Sequence, residues 1–281
     1  MKTVLMATDL SARSDRAFDR AVKLARAHDA RLYVVHIVDQ ALPEQIAEAQ
    51  KEAAAENILE HIESIAKDAD HAIRADVKTG KSSAGIVEYA KSVDADLIVL
   101  GVHNMSYENP FRGTTSEKII RMGDVPVLVV SDRARKNYSR VLAAVDFSIH
   151  SRCALQCLLD LVPDAELHLV HAYDIPFAGF MHGSETGAQV KKDAERRIKK
   201  LVKDEMASIL GPLGLDMAKV KPVLKRGPVT QVIRKEATRV KPDLLALGTH
   251  GRTGIAHAFL GSVAEDLLGN PPCDVLAVKA W

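Results

Sequence analysis

The chain has 281 residues, 27% charged and 47% hydrophobic, with a formal net charge of +1. The length suits two domains of roughly 140 residues. The apolar content excludes a disordered chain, and the near-neutral charge argues against a nucleic-acid binder, which usually carries a basic domain.

The predicted elements run as follows. Val4–Ala7 reads as a short buried strand closed by Asp9, and Ser11 stands where a helix N-cap is expected. Arg16–Ala27 reads as a helix, with Ala17, Phe18, Ala21, Val22, Leu24 and Ala25 on one face and charges opposite. Arg31–Ile37 is a second strand. Thr79-Gly80-Lys81-Ser82 resembles the tail of a phosphate-binding Walker loop, but Ala75 stands where its first glycine is required, so it reads as a strand-to-helix turn. Leu97–Val102 and Val127–Val130 complete the strands. The strands are rich in Val, Ile and Leu without polar alternation, as in a parallel sheet covered on both faces.

The order then repeats. Val4-Leu5-Met6-Ala7-Thr8-Asp9-Leu10-Ser11 returns as Val141-Leu142-Ala143-Ala144-Val145-Asp146-Phe147-Ser148, and Arg31–Ile37 returns as Glu166–Ala172. Ala95–His103 returns as Pro242–His250, Gly113-Thr114 with Glu117 as Gly261-Ser262 with Glu265, and Asp124–Val130 as Cys273–Val278. Five blocks in one order indicate two copies of one α/β domain, each a doubly wound, five-stranded parallel sheet. We place them at 1–133 and 139–281, joined through the polar stretch Ser131–Ser139.

Ligands of such sheets bind beyond the carboxyl ends of the strands. Asp9 and Asp146 stand there, either as turn-forming caps or as acceptors for a ribose hydroxyl or an amine. The strongest constellation is Gly248-Thr249-His250-Gly251, nine residues, then Gly261-Ser262. It lies between a buried strand and a helix start, where backbone N–H groups and a partial positive charge suit phosphate.

This pattern resembles the universal stress protein family, in its tandem, ATP-binding form, and the resemblance spans essentially the whole chain. It implies that Ala144, Val145, Asp146 and Ala172 surround an adenine and ribose. Leu247, Gly248, Gly251, Gly261, Ser262 and Val263 would line the sugar and phosphates, with His250, which otherwise reads as structural, a further candidate phosphate contact. The first copy departs from the pattern. Asn104 replaces the second glycine, and only eight residues separate it from Gly113-Thr114. Asp9, Ile37, Gly101, Asn104, Gly113 and Thr114 therefore form a weaker counterpart. The resemblance further implies that the fifth strands pair antiparallel, an intramolecular pseudo-dimer to which a homodimer contact can be added.

Other signals carry less. Cys153 and Cys157 share a helix face and read as small buried hydrophobes, and no zinc-ligand set accompanies them. His36, His171, His103 and His250 read as structural histidines. Lys191–Lys203 mixes charges at helical spacing and reads as a solvated helix. Ile175–Gly187, with Phe177 and Phe180, reads either as a lid or as a segment packed on the sheet.

The expected function is a nucleotide-dependent sensor or regulator with ATP, with or without magnesium, held mainly in the second domain and read by a protein partner. The alternatives are a small-molecule or lipid carrier and a slow ATPase. There is no nucleophile elbow or metal-ligand cluster, so hydrolysis is at most weak. No apolar run approaches the roughly 20 residues of a membrane span, and too few apolar residues precede Asp9 for a signal-peptide core. A cytoplasmic protein with reduced thiols is expected, with neither nucleic acid nor membrane as partner.

Overall fold

The computed structural model describes residues 1–65, 73–102, 114–174, 185–215, 220–251 and 260–280. The first half runs β1 (Thr3–Thr8), α1 (Ala12–His28), β2 (Arg31–Asp39), α2 (Glu44–Ile65), β3 (Ile73–Gly80), α3 (Ser82–Ser92), β4 (Leu97–Gly101), α4 (Thr115–Met122) and β5 (Val127–Val130). The second runs β6 (Arg140–Ala144), α5 (Ile149–Leu161), β7 (Glu166–Tyr173), α6 (Glu185–Leu210), β8 (Lys221–Arg226), α7 (Val229–Val240), β9 (Leu244–Gly248), α8 (Ser262–Gly269) and β10 (Asp274–Val278).

Local chemistry sets the element ends. Ser11 caps α1 and Ser148 caps α5, each hydroxyl accepting from the N–H three residues on. All six apolar residues of the expected α1 stripe are buried. Each helix thereby returns its apolar face to the sheet and starts at the carboxyl end of the preceding strand.

All ten strands join one sheet in the order β3-β2-β1-β4-β5-β10-β9-β6-β7-β8. Pairing within each half is parallel. The halves meet through β5 and β10, which run antiparallel with Leu128 opposite Leu276. These two leucines occupy the same place in the repeat, so a pseudo-twofold axis passes between them. Both are fully buried, and burying each side chain contributes roughly 1.5–3 kcal/mol.

The outermost strands look different for a physical reason. β3 carries Arg74, Asp76 and Lys78, and β8 carries Lys221, Pro222, Lys225 and Arg226. Charges and a proline on an unpaired edge discourage further strand addition. The central strands β5 and β10 are buried throughout.

A polar cluster fastens the two halves. Asp274, at the start of β10, accepts from the Ser131 and Asp132 amides at 2.9 and 3.1 Å and from the Tyr138 hydroxyl at 2.6 Å. Arg20 of α1 lies 3.4 Å from the same carboxylate and stacks over the Tyr138 ring. Burial and the neighbouring Asp274 charge push the Tyr138 hydroxyl well above its ordinary pKa, so it stays a donor.

Candidate functional site

In each half, the first strand lies between its second and fourth strands, so the chain leaves it in opposite directions. Such a switch point opens a crevice beyond the strand ends. In the second half this crevice is a cavity of about 340 Å³. Its walls include Ala144, Val145 and Asp146 after β6, Ala172 on β7, Leu247, Gly248, His250 and Gly251 after β9, and Gly261, Ser262 and Val263 at the start of α8. These are the eleven residues that the sequence nominated for this half, brought to one cavity from four separate elements. Ser151, Val170, His171, Thr249, Val229 and Ile233 also line it and were missed. The signal for Val229 and Ile233 was available: they lie four apart at the start of the helix that follows Gly227-Pro228, and so share a face.

Asp146 makes the turn-forming bond considered for it and lines the cavity. Its Oδ1 accepts from the Ser148 amide at 3.0 Å, a turn-forming bond. Its Oδ2 faces Gly251, where an added Cβ would stand 3.0 Å away. The next residue, Phe147, has φ of 66°, and Leu10, its counterpart after Asp9, has φ of 61°. A left-handed non-glycine costs of order 1–3 kcal/mol and persists only where its surroundings enforce it. Here it turns the chain sharply from strand into helix with the aspartate beside the cavity.

The histidines divide. His171 Nδ1 donates to the Val145 carbonyl at 2.7 Å, and His36 Nδ1 donates to the Thr8 carbonyl at 2.9 Å. Both are therefore engaged with backbone, at the same place in the repeat. His250 Nδ1 meets Thr249 Oγ1 at 2.9 Å, while its Nε2 is buried without a hydrogen-bond partner among the described residues. Its ring lies 4.9 Å from that of His150, whose Nδ1 accepts from the Ala280 amide.

The glycines also divide. A Cβ on Gly248 would stand 2.6 Å from the His150 carbonyl carbon, so this glycine is required by the approach of α5 to β9. Gly101 meets the Arg13 backbone at 3.0 Å in the same way. Gly261 N–H donates to the Thr249 carbonyl at 2.9 Å, which fixes the return of the loop. Among these four glycines, Gly251 is the one crowded by a side chain that lines the cavity.

The first-half cavity measures about 310 Å³ and takes Asp9, Ile37 and Gly101 among its walls, with Arg13, His36, Ser82, Thr115 and Ser116. Asp9 Oδ1 accepts from the Ser11 amide and hydroxyl. Thr114 does not line the cavity. It caps α4, its hydroxyl accepting from the Glu117 amide while Glu117 accepts from the Thr114 amide, each at 3.2 Å. Thr114-x-x-Glu117 spells this capping box in the sequence, which was the signal to read. Asn104, Gly113 and His103 lie outside the described residues, as do Phe177 and Phe180.

Cys153 and Cys157 are half-buried rather than buried. They line an apolar groove of about 580 Å³ with Met1, Ala95, Leu97, Val125 and Leu161. Desolvation pushes the Cys157 thiol up to about 12. The Lys191–Lys203 segment lies on α6, with surface ion pairs Asp193–Arg196 and Glu195–Lys199. Among the described residues, no helix is long and apolar enough to cross a membrane.

The sequence profile of the Universal stress protein family matches residues 1–131 and again 137–279. The chain belongs to that family, in tandem form. Universal stress protein A homolog 2 of Coxiella burnetii is 31% identical over 147 residues, 51% of this chain and 96% of its own. Universal stress protein E homolog of Haemophilus influenzae is 26% identical over 211 residues, 67% of each chain. The crystal structure of a universal stress protein from Archaeoglobus fulgidus covers 99% of this chain and 98% of its own, with a TM-score of 0.68 at 21% identity, a likeness of fold.

Proposed function

We propose that this universal stress protein binds an adenine nucleotide, ATP with or without magnesium, chiefly in its second-domain cavity, and acts as a nucleotide-dependent sensor or regulator. The observation that carries the reading is the convergence of Asp146, His250 and an α8 start with no side-chain cap among the described residues at one cavity. The volume falls within the range of small-molecule sites.

The donors and acceptors suit such a ligand. Val170, Val229, Ile233 and Leu247 supply apolar wall for a base, and Val145 and Ala172 supply main chain at its edge. Asp146 suits a ribose hydroxyl. The Ser262 and Val263 amides, the Ser262 hydroxyl and His250 suit phosphate oxygens, aided by the positive end of α8. Magnesium accompanying a nucleotide takes its ligands largely from phosphate and water, so it requires no preformed cage. We assign no catalytic residue. ATP held in the cavity would stiffen the segment from Gly248 to Ser262, and a protein partner that prefers one state would read the change.

The test is mass spectrometry of ligand released from the purified protein, joined to ATP titration of wild type and Gly251→Glu. One equivalent of ATP, lost in the variant, supports the reading. Two equivalents would place the first-half cavity on equal terms, and no ATP, or a lipid in its place, overturns it.

A further inference from the structure

We infer that Arg121, a residue of the first domain, prepares the second-domain cavity for phosphate by holding Glu265 away from the N-terminus of α8. The inference rests on the nucleotide reading of that cavity.

Glu117 and Glu265 occupy the same position in the repeat, three residues after Thr114 and Ser262. In α4 the glutamate folds back onto the helix start and closes a capping box. That carboxylate accepts from the Thr114 amide and opposes the positive end of the helix. In α8 the helix starts one repeat position earlier, so Ser262 is its first residue, Glu265 sits one residue beyond the capping-box position, and no box closes. Its N-cap is Gly261, with no side-chain cap. The Glu265 carboxylate instead accepts from Arg121 Nη2 at 2.9 Å across the pseudo-twofold axis. Arg121 stands 3.9 Å from Glu117. The position equivalent to Arg121 in the second domain is Gly269, so a single arginine faces both glutamates and bonds to one.

The consequence is electrostatic. A carboxylate seated on the α8 start would compete with a phosphate for the same amides and repel it. Turned toward Arg121, it leaves the first turn open beside Gly261, Ser262 and Val263 on the cavity wall. Arg121 does not line the cavity, so it acts through Glu265 as a positioning residue. The second-domain site is thus completed by the first domain.

The experiment is calorimetric titration of the full chain with ATP and, separately, with adenosine. The variants are Arg121→Ala, Glu265→Ala and the double variant, each checked for an unchanged melting profile. Arg121→Ala is expected to weaken ATP binding about tenfold, the scale of one helix-cap interaction, and to leave adenosine binding unchanged. Glu265→Ala should bind ATP at least as tightly as wild type, and the double variant should return to the affinity of Glu265→Ala. Should Arg121→Ala fail to fold, Arg121→Met, which keeps the apolar stem and removes the charge, carries the test with the same expected loss for ATP alone. Losses that add in the double variant, or that fall equally on adenosine, would overturn the inference. So would wild-type ATP affinity in Arg121→Ala, with the nucleotide reading intact. A wild-type chain that binds neither ligand overturns both.

Discussion

Gly251 and Asp146 face each other so closely that a Cβ at 251 would stand 3.0 Å from Asp146 Oδ2. The other oxygen of that carboxylate is held by the Ser148 amide, so the group cannot yield without loosening its own turn. Gly251→Ala is therefore expected to displace Asp146 and weaken ATP and adenosine alike, by about 1 kcal/mol, the net worth of one hydrogen bond. Titration of the variant with both ligands checks this. Equal loss for both separates it from Arg121→Ala, which is expected to touch ATP alone.

Gly248 makes the opposite prediction. Its Cβ would meet backbone at 2.6 and 2.7 Å, against 3.0 Å for its first-half counterpart Gly101. Backbone cannot rotate aside as a side chain does. Gly248→Ala should destabilise the fold by roughly 1–3 kcal/mol, the usual cost of overpacking, and Gly101→Ala by less. Urea unfolding of the two variants tests the order, and a Gly101→Ala loss that matches or exceeds the Gly248→Ala loss would refute it.

Asp274 is 1% exposed and joins Ser131, Asp132, Tyr138 and Arg20. Removing its carboxylate would leave the buried Arg20 without its counter-charge, with only the Lys136 carbonyl and the Tyr138 ring beside it. Asp274→Ala is expected to cost about 3–5 kcal/mol, as for one side of a buried ion pair. Tyr138→Phe keeps the ring over Arg20 and loses one charge-assisted bond, so about 1.5–3 kcal/mol is expected. Thermal melts of both variants and of their combination measure the coupling. Simple additivity would mean that the two side chains do not act as a unit.

The five repeated blocks made the two domains and their strands legible, because buried parallel strands leave unbroken apolar runs such as Leu97–Leu100 and Leu244–Leu247. The antiparallel pairing of β5 with β10 followed from family resemblance alone, since two apolar strands carry no mark of which edge they join. Strand ends and glycines marked where the second cavity would open, the resemblance nominated eleven of its wall residues, and side chains such as Val229 and Ile233, contributed by a helix far along the chain, were not nominated. Thr114 and Ser262 show the limit. Their sequence contexts match, yet one glutamate closes its box and the other does not. α8 starts one repeat position earlier than α4, with Gly261 rather than Ser262 as its cap, so Glu265 falls one residue beyond the capping-box position and meets Arg121 instead, and no local pattern reports that contact across the axis between domains.

Glu166 gives a pH-dependent expectation. Hydrogen bonds from Lys221 and His168 hold its carboxyl down to about 2, from an ordinary 4.5. A depressed acid contributes stability that is complete above the unfolded value and lost as protons bind the folded state. The contribution of Glu166 is therefore full above pH 4.5 and fades as the pH falls toward 2. Lys221 Nζ lies 2.7 Å from Glu166 Oε1 and is itself largely exposed, so salt should weaken the effect. Lys221→Ala is expected to raise the Glu166 pKa toward its ordinary value and to flatten stability over that acid window. Carboxyl-selective NMR titration of both proteins, at low and high salt, reads the shift directly. An unchanged Glu166 midpoint in Lys221→Ala would assign the depression to His168, whose Nε2 lies 2.6 Å from the same oxygen.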